Sequence, residues 1–261
     1  MKKLPLFGKK IVITRSMSQS GPLKEKLEVL GAEVIELPLI ETTFWCEQKD
    51  ALEVLSEVGA YEWIIFTSAN GVKYFFELFF KRFKDIRSIG GMRIACIGKA
   101  TAMEVEKFHL QVDVIPEAAV AEALFDALMK YETLDNIKML VITGNLNRDL
   151  LVEKLVQEGR AIVDTLQVYK TELLDLKESK VAKVFREQGA DAIIFTSAST
   201  VNSFAEQKSQ LKISKKGKQP RLCSIGPITS QALKKNALKV DIEAKEHSVE
   251  GIVKALEKYF G

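Results

Sequence analysis

The residues able to do chemistry in this chain are hydroxyls and guanidiniums that follow short apolar runs. Thr14-Arg15 follows Ile11-Val12-Ile13, and Thr67-Ser68 follows Ile64-Ile65-Phe66. Thr143 to Arg148 follows Leu140-Val141-Ile142, and Thr196-Ser197 follows Ile193-Ile194-Phe195. Gly98 to Thr101 and Gly226 to Thr229 follow two further runs. β-Branched and aromatic runs of this length read as buried strands, and most of the polar groups then open an amphipathic, helically spaced segment. Free N–H groups at helix N-termini, with Ser or Thr beside them, suit carboxylate or phosphate groups. Ser and Thr are also favoured N-caps, so capping alone explains any single one of them. The informative feature is recurrence of the same types in both halves. Arg15 and Arg148 follow matching strands and are the candidates for bidentate pairing with a substrate carboxylate, against a reading as surface arginines. Tyr169 lies just past a strand, where a phenol donates a hydrogen bond, supplies a proton, or simply packs with its hydroxyl in water.

Other chemistries are not encoded. Gly98 and Gly226 stand alone, without the G-x-G-x-x-G of a dinucleotide site, and there is no Walker A sequence. No G-x-S-x-G elbow occurs, and the two histidines, His109 and His247, read as surface or loop residues. Cys46, Cys96 and Cys223 are far apart and odd in number, which fits a reducing compartment rather than a disulfide framework. Neither histidines nor cysteines have metal-site spacing. The net charge of +3 is too small for a typical nucleic-acid protein. No window has the roughly 18 apolar residues of a membrane helix, and residues 1–10 lack the apolar core of a signal peptide. The expectation is a cytoplasmic protein with no cofactor, no nucleic-acid partner and no membrane partner.

The elements that must position these residues repeat. Ile64-Ile65-Phe66-Thr67-Ser68-Ala69 returns as Ile193-Ile194-Phe195-Thr196-Ser197-Ala198, 129 residues later. Val12-Ile13-Thr14 and Val141-Ile142-Thr143, Ile97-Gly98 and Ile225-Gly226, and Val112-Asp113 and Val240-Asp241 match at nearly the same offset. The pattern predicts five strands in each half: 11–14, 33–40, 63–67, 93–97 and 112–115, then 138–143, 162–169, 192–196, 222–225 and 240–243. Helical segments alternate with them, including 69–82, 119–131, 147–158 and 249–260. Alternation of this kind means βαβ units and parallel sheets. A duplicated α/β lobe explains the repeat, and 47% hydrophobic residues supply its cores. Two assemblies remain open: a cut near Thr133, or a crossing of each half's first two strands into the other lobe. The basic segment from Ser209 to Arg221 reads as a solvated loop, with long-range attraction of an anion as the alternative.

The pieces Ile13-Thr14-Arg15, Leu37-Pro38-Leu39-Ile40-Glu41, Phe66 to Val72, Ile97-Gly98 with Thr101, Gly144-Asn145 with Arg148, Val168-Tyr169 with Thr171, Phe195-Thr196-Ser197, and Ile225-Gly226-Pro227 with Thr229 carry a resemblance. In their order and spacing the chain resembles the uroporphyrinogen-III synthase family over nearly its whole length. The resemblance implies two flavodoxin-like, five-stranded parallel-sheet lobes joined by a two-stranded connector, with a cleft between them. Residues 1–38 and 170–261 would form one lobe and 39–169 the other. It implies a cyclising hydro-lyase (EC 4.2.1.75) of tetrapyrrole biosynthesis that takes linear hydroxymethylbilane, inverts the last pyrrole ring and closes the macrocycle with loss of water. No cofactor or metal is implied. A monomer is expected, with transient contact with the preceding pathway enzyme.

Carried over residue by residue, Tyr169 matches the family tyrosine thought to assist departure of the hydroxyl. Ser68, Thr101, Arg148, Ser197 and Thr229 match family cleft positions, and Arg15 joins them as a substrate-binding residue. The chain departs from many relatives at Thr143, where they have Arg before the Gly-Asn pair, and at Ser16, where they have Pro. The first removes a candidate cation; the second alters only a loop. Two other classes compete with the synthase: a non-catalytic bilobed binder of an anionic metabolite, and a synthase-like domain serving as a partner surface through Phe80 and the basic segment.

Overall fold

The structure is a computed structural model that describes residues 4–15, 17–147 and 149–261. Its strands are β1 (Lys10–Ile13), β2 (Glu33–Glu36), β3 (Ile40–Phe44), β4 (Trp63–Phe66), β5 (Arg93–Cys96), β6 (Lys138–Gly144), β7 (Ile162–Leu173), β8 (Ala192–Phe195), β9 (Arg221–Ser224) and β10 (Ile242–Glu243). Its α-helices are α1 (Met17–Val29), α2 (Gln48–Ser56), α3 (Ala69–Arg82), α4 (Lys99–Glu106), α5 (Ala121–Tyr131), α6 (Leu150–Gln157), α7 (Lys180–Gln188), α8 (Ala198–Glu206), α9 (Pro227–Lys235) and α10 (Val249–Phe260). The chain divides into two compact units, Met1–Glu41 with Glu172–Gly261, and Thr42–Thr171.

Each unit holds one five-stranded sheet, in the order β10-β9-β8-β1-β2 in the first and β3-β7-β6-β4-β5 in the second. β1 pairs in parallel with β8, as Ile11 with Ala192 and Ile13 with Ile194. β4 pairs in parallel with β6, as Trp63 with Met139 and Phe66 with Ile142. The first two strands of each half of the sequence therefore belong to the sheet formed with strands of the other half.

The apolar runs form strands buried on both faces. Every residue of β4 and of β8 is buried. Such runs are continuous rather than alternating because helices cover both sides of a parallel sheet. Side chains still alternate in direction: Ile64 and Phe66 enter a core with Phe75, Phe76 and Phe79, whereas Trp63 and Ile65 enter one with Leu124, Leu128 and Leu155. In the first unit Ile193 and Phe195 face Phe185 and Leu233, and Ala192 and Ile194 face Leu27 and Leu256. Each large side chain so buried contributes about 1.5–3 kcal/mol relative to exposure. α3 delivers its share because its apolar residues recur every three or four positions, with Lys81 and Arg82 in the last turn beside the negative end of the helix dipole.

Three expectations from the sequence need correction. The strand expected over 33–40 stops at Glu36, its end leaving the sheet as Pro38 implied because it has no N–H for a ladder, and a separate strand, β3, starts at Ile40. The strand expected over 112–115 shrinks to one bridge, Val114 with Ala95. The second sheet is not purely parallel. Leu174 N–H donates to Leu39 O at 3.1 Å, Trp45 N–H donates to Val168 O at 3.1 Å, and the Thr42 and Thr171 hydroxyls meet at 3.1 Å. Rising numbers on β3 thus meet falling numbers on β7, which makes β3 antiparallel. No helix among the described residues is long and apolar enough to cross a membrane.

Candidate functional site

Open α/β sheets bind ligands outside the carboxyl ends of strands, where the strand order reverses direction. In the first unit the reversal falls between β1 and β8, and in the second between β4 and β6. The residues just past those strands are Thr14-Arg15, Thr196-Ser197, Thr67-Ser68 and Asn145. One threonine in each unit ties the seam: Thr14 Oγ1 donates to Ile194 O at 2.9 Å, and Thr67 Oγ1 donates to Ile142 O at 2.8 Å. These two hydroxyls are bonded to backbone carbonyls, which leaves the following residue of each pair as the candidate for a ligand.

In the second unit that residue is Ser68. It caps α3, accepting from Gly71 N–H at 2.9 Å, and its oxygen lies 3.0 Å from the Tyr169 hydroxyl. Tyr169 is half-buried and stacks on Tyr74 at 6.1 Å between ring centroids. Tyr74 is itself anchored by its hydroxyl, which donates to Thr42 O at 2.6 Å. Beneath the Tyr169 ring lies Gly144. A Cβ at Gly144 would overlap the ring and stand 2.8 Å from the phenol oxygen. The β6–β7 register shifts at Thr143/Gly144 so that Gly144 faces Tyr169. Asn145 fixes the strand beyond: its side chain donates to Thr171 O at 3.1 Å and accepts from Thr171 N–H at 2.8 Å. The phenol is therefore held by a ring stack, a serine and two backbone constraints. Arg148 lies outside the described residues. Thr101 is 4% exposed in the first turn of α4.

In the first unit Ser197 caps α8, accepting from Thr200 N–H at 3.2 Å. Its hydroxyl is 2.9 Å from that of Ser199 and 3.2 Å from that of Thr200, which makes a cluster of three hydroxyls at one helix head. Thr229 is 3% exposed in the first turn of α9, whose N-cap is Gly226. The His247 imidazole lies on that glycine, where any Cβ would collide with the ring. His247 is exposed, as the sequence implied, but its packing against the α9 head was not legible from it.

Arg15 is the electrostatic feature of this edge. Burial lowers its pKa, and among the described residues its guanidinium has no ion pair or hydrogen bond. A partly desolvated cation without a partner is costly, and a bound carboxylate would relieve that cost. Arg15→Met is therefore expected to leave folding stability unchanged or raise it by up to about 1 kcal/mol. The same change is expected to raise KM for a polycarboxylate substrate about tenfold, the loss of one charged hydrogen-bond set. Thermal unfolding and steady-state kinetics on the one variant check both, and an unchanged KM would remove Arg15 from the binding set.

The thiols are not nucleophiles. Burial pushes Cys96 and Cys223 up to about 12, and burial with nearby Asp50 and Glu47 pushes Cys46 up to about 11. No group of three or more His, Cys, Asp or Glu side chains among the described residues is placed to hold a metal ion. Sequence reasoning missed Tyr74, Gly144 and Asn145 as supports of the phenol. The adjacency of Gly144-Asn145 to a strand end was the available signal, and it lacked a partner until β7 was placed.

Two α/β units with hydroxyls and a bare guanidinium at their strand ends define a protein suited to an acidic small molecule. Residues 21–254 match the HEM4 family, uroporphyrinogen-III synthase HemD. The chain belongs to that family, and its activity is that of a uroporphyrinogen-III synthase of tetrapyrrole biosynthesis, EC 4.2.1.75. It is 28% identical over 268 residues to a uroporphyrinogen-III synthase from Synechococcus elongatus, covering 99% of this chain and 98% of that one. It is 31% identical over 256 residues to the porphyrin biosynthesis protein HemD of Ruminiclostridium josui, covering 98% of this chain and 49% of that protein, so it spans about half of that longer relative. A mutant uroporphyrinogen III synthase from the extremely thermophilic bacterium Thermus thermophilus has the same fold, with TM-score 0.65 at 14% identity over 96% of this chain and 98% of that one. The Helicobacter pylori enzyme gives 0.62 at 17% identity, over 94% and 97%.

Proposed function

We propose that this chain cyclises linear hydroxymethylbilane to uroporphyrinogen III, with inversion of the last pyrrole ring and loss of water. The Tyr169–Ser68 pair is the observation that carries the residue assignment. Ser68 Oγ accepts from Gly71 N–H, so its own proton is free to donate to the Tyr169 oxygen. In that arrangement the phenol proton points away from Ser68 and is available to the departing hydroxyl, which leaves as water. Ser68 O–H then stabilises the phenolate that forms. Arg15, Arg148 and the hydroxyl cluster at Ser197 hold carboxylates of the substrate, and Thr101 and Thr229 order the helix heads beside them. Closure without inversion is intrinsically available to this substrate, so orientation and exclusion of the competing closure are the main catalytic terms. Residues 1–38 with 170–261 and residues 39–169 act as the two lobes, joined through the strands that run on from Leu39 and Tyr169.

The test is product identity. The purified chain is incubated with freshly made hydroxymethylbilane, the products are oxidised, and the porphyrin isomers are resolved. The type III isomer is expected in excess. Type I alone, formed at the rate of a blank, would leave the chain as a binder rather than a synthase.

A further inference from the structure

A cavity of about 710 Å³ lies within the first unit, at the amino ends of its strands, on the opposite sheet edge from the candidate site. That volume is within the range of small-molecule sites, roughly 300–1,000 Å³. Its floor is apolar, made by Phe204, Ile213, Leu222 and Leu238, and its rim carries Lys208, Lys212 and Lys239. Basic residues predominate around it. From Gln207 to Val240 the sequence has nine lysines and arginines and no aspartate or glutamate. The carboxylate at the rim, Asp241, is already engaged by Lys239 at 3.1 Å, Arg221 at 3.5 Å and Leu222 N–H at 3.0 Å. Lys218 is taken by Asp191. Lys208 and Lys212 have no ion pair among the described residues.

The wall that carries these lysines is built rather than loose. The Arg186 guanidinium donates to the carbonyls of Leu176, Lys177 and Gln210 at 3.0–3.1 Å. Ser214 N–H donates to Arg186 O at 2.7 Å, and Lys218 N–H donates to Gln188 O at 2.9 Å. The basic segment is thereby fixed to the end of α7 and frames the cavity mouth. An apolar floor rewards burial of hydrocarbon, and unpaired lysines at the rim reward an acid group. A purely apolar ligand would use only the first, and a small inorganic anion only the second.

We propose that this cavity binds an amphipathic carboxylate, a hydrocarbon or aromatic body seated on Phe204 and Leu238 with its acid group at Lys208 and Lys212. The assignment is independent of the synthase reading. Octanoate is the probe, titrated calorimetrically into the full chain, with 1-octanol and acetate as the neutral and the purely anionic arms. One octanoate per chain is expected, bound about tenfold more tightly than octanol, with no saturable acetate binding. Backbone amide shifts are expected to cluster between Phe204 and Val240. K208E/K212E, two exposed positions outside the catalytic set, is expected to weaken octanoate about tenfold while octanol binding and synthase turnover stay unchanged. Equal affinity for octanoate and octanol, no saturable binding up to about 1 mM, shifts located elsewhere, or an octanoate affinity indifferent to K208E/K212E would each overturn the proposal.

Discussion

Tyr169→Phe is expected to lower kcat for cyclisation by about a hundredfold or more, the usual scale for a positioned general acid, with KM little changed. The ring is kept, so the stack on Tyr74 and the contact over Gly144 survive. Only the hydroxyl and its 3.0 Å contact with Ser68 are lost. The stability change should stay near 0.5–1.5 kcal/mol, one hydrogen bond. A second variant tests position rather than proton. Gly144 has no left-handed φ, so alanine is allowed by its backbone. The added methyl group would nevertheless stand where the Tyr169 ring lies, 2.8 Å from its oxygen. Gly144→Ala should therefore displace the phenol and lose activity on a similar scale, about a hundredfold. Because both changes remove the same placed proton, the double variant should be little worse than either single one. Rate and isomer ratio on hydroxymethylbilane check all three. Full activity in Tyr169→Phe would strip the phenol of its acid role, and additive losses would separate Gly144 from it.

The largest effect on stability is expected at Gly189. This residue ends α7 with φ +69° and ψ −157°, a region that is essentially reserved for glycine. A Cβ there would overlap the Lys218 carbonyl oxygen, with that residue's carbonyl carbon and nitrogen at 2.6 Å. Lys218 cannot retreat freely. Its carbonyl accepts from Ala190 N–H at 3.1 Å and its N–H donates to Gln188 O at 2.9 Å. Backbone strain of roughly 1–3 kcal/mol and overpacking of similar size combine, so Gly189→Ala should destabilise the first unit by about 3 kcal/mol or more. Gly21 in α1 is the matched control. Apart from its chain neighbours, nothing lies within 4 Å of a Cβ there. Gly21→Ala should change stability by less than about 1 kcal/mol, because the gain in helix propensity is opposed by the restriction Pro22 places on the residue before it. Urea unfolding of both variants reads the contrast, and a loss below about 1 kcal/mol at Gly189 would show that the Lys218 turn yields.

Local pattern determined much of this protein. The apolar runs at Ile64 and Ile193 are strands, and the serines after them cap helices, because strand burial and capping both act over a few neighbouring residues. The extent of α3 follows from its apolar spacing alone. The repeat likewise announced two sheets of similar content. Long-range pairing was decided elsewhere. Nothing in Val12-Ile13-Thr14 says that its neighbour is β8, 180 residues on, rather than a strand of its own half, since both have the same apolar faces. The antiparallel placement of β3 depends on the chain direction after Pro38, which short-range periodicity does not encode.

The site divides along the same line. Sequence supplied Ser68, Ser197 and Arg15 as residue types at strand ends, and Tyr169, expected just past a strand but held within β7, together with the family they resemble. Tertiary structure decided that Ser68 and Tyr169, 101 residues apart, share one contact, and that Gly144 makes room for it. It also decided that Thr14 and Thr67 turn inward to carbonyls across the seam while Arg15 stays unpaired among the described residues. Such outcomes depend on which strands lie side by side, because a hydroxyl that closes a seam and one that meets a substrate are the same residue in the same local pattern.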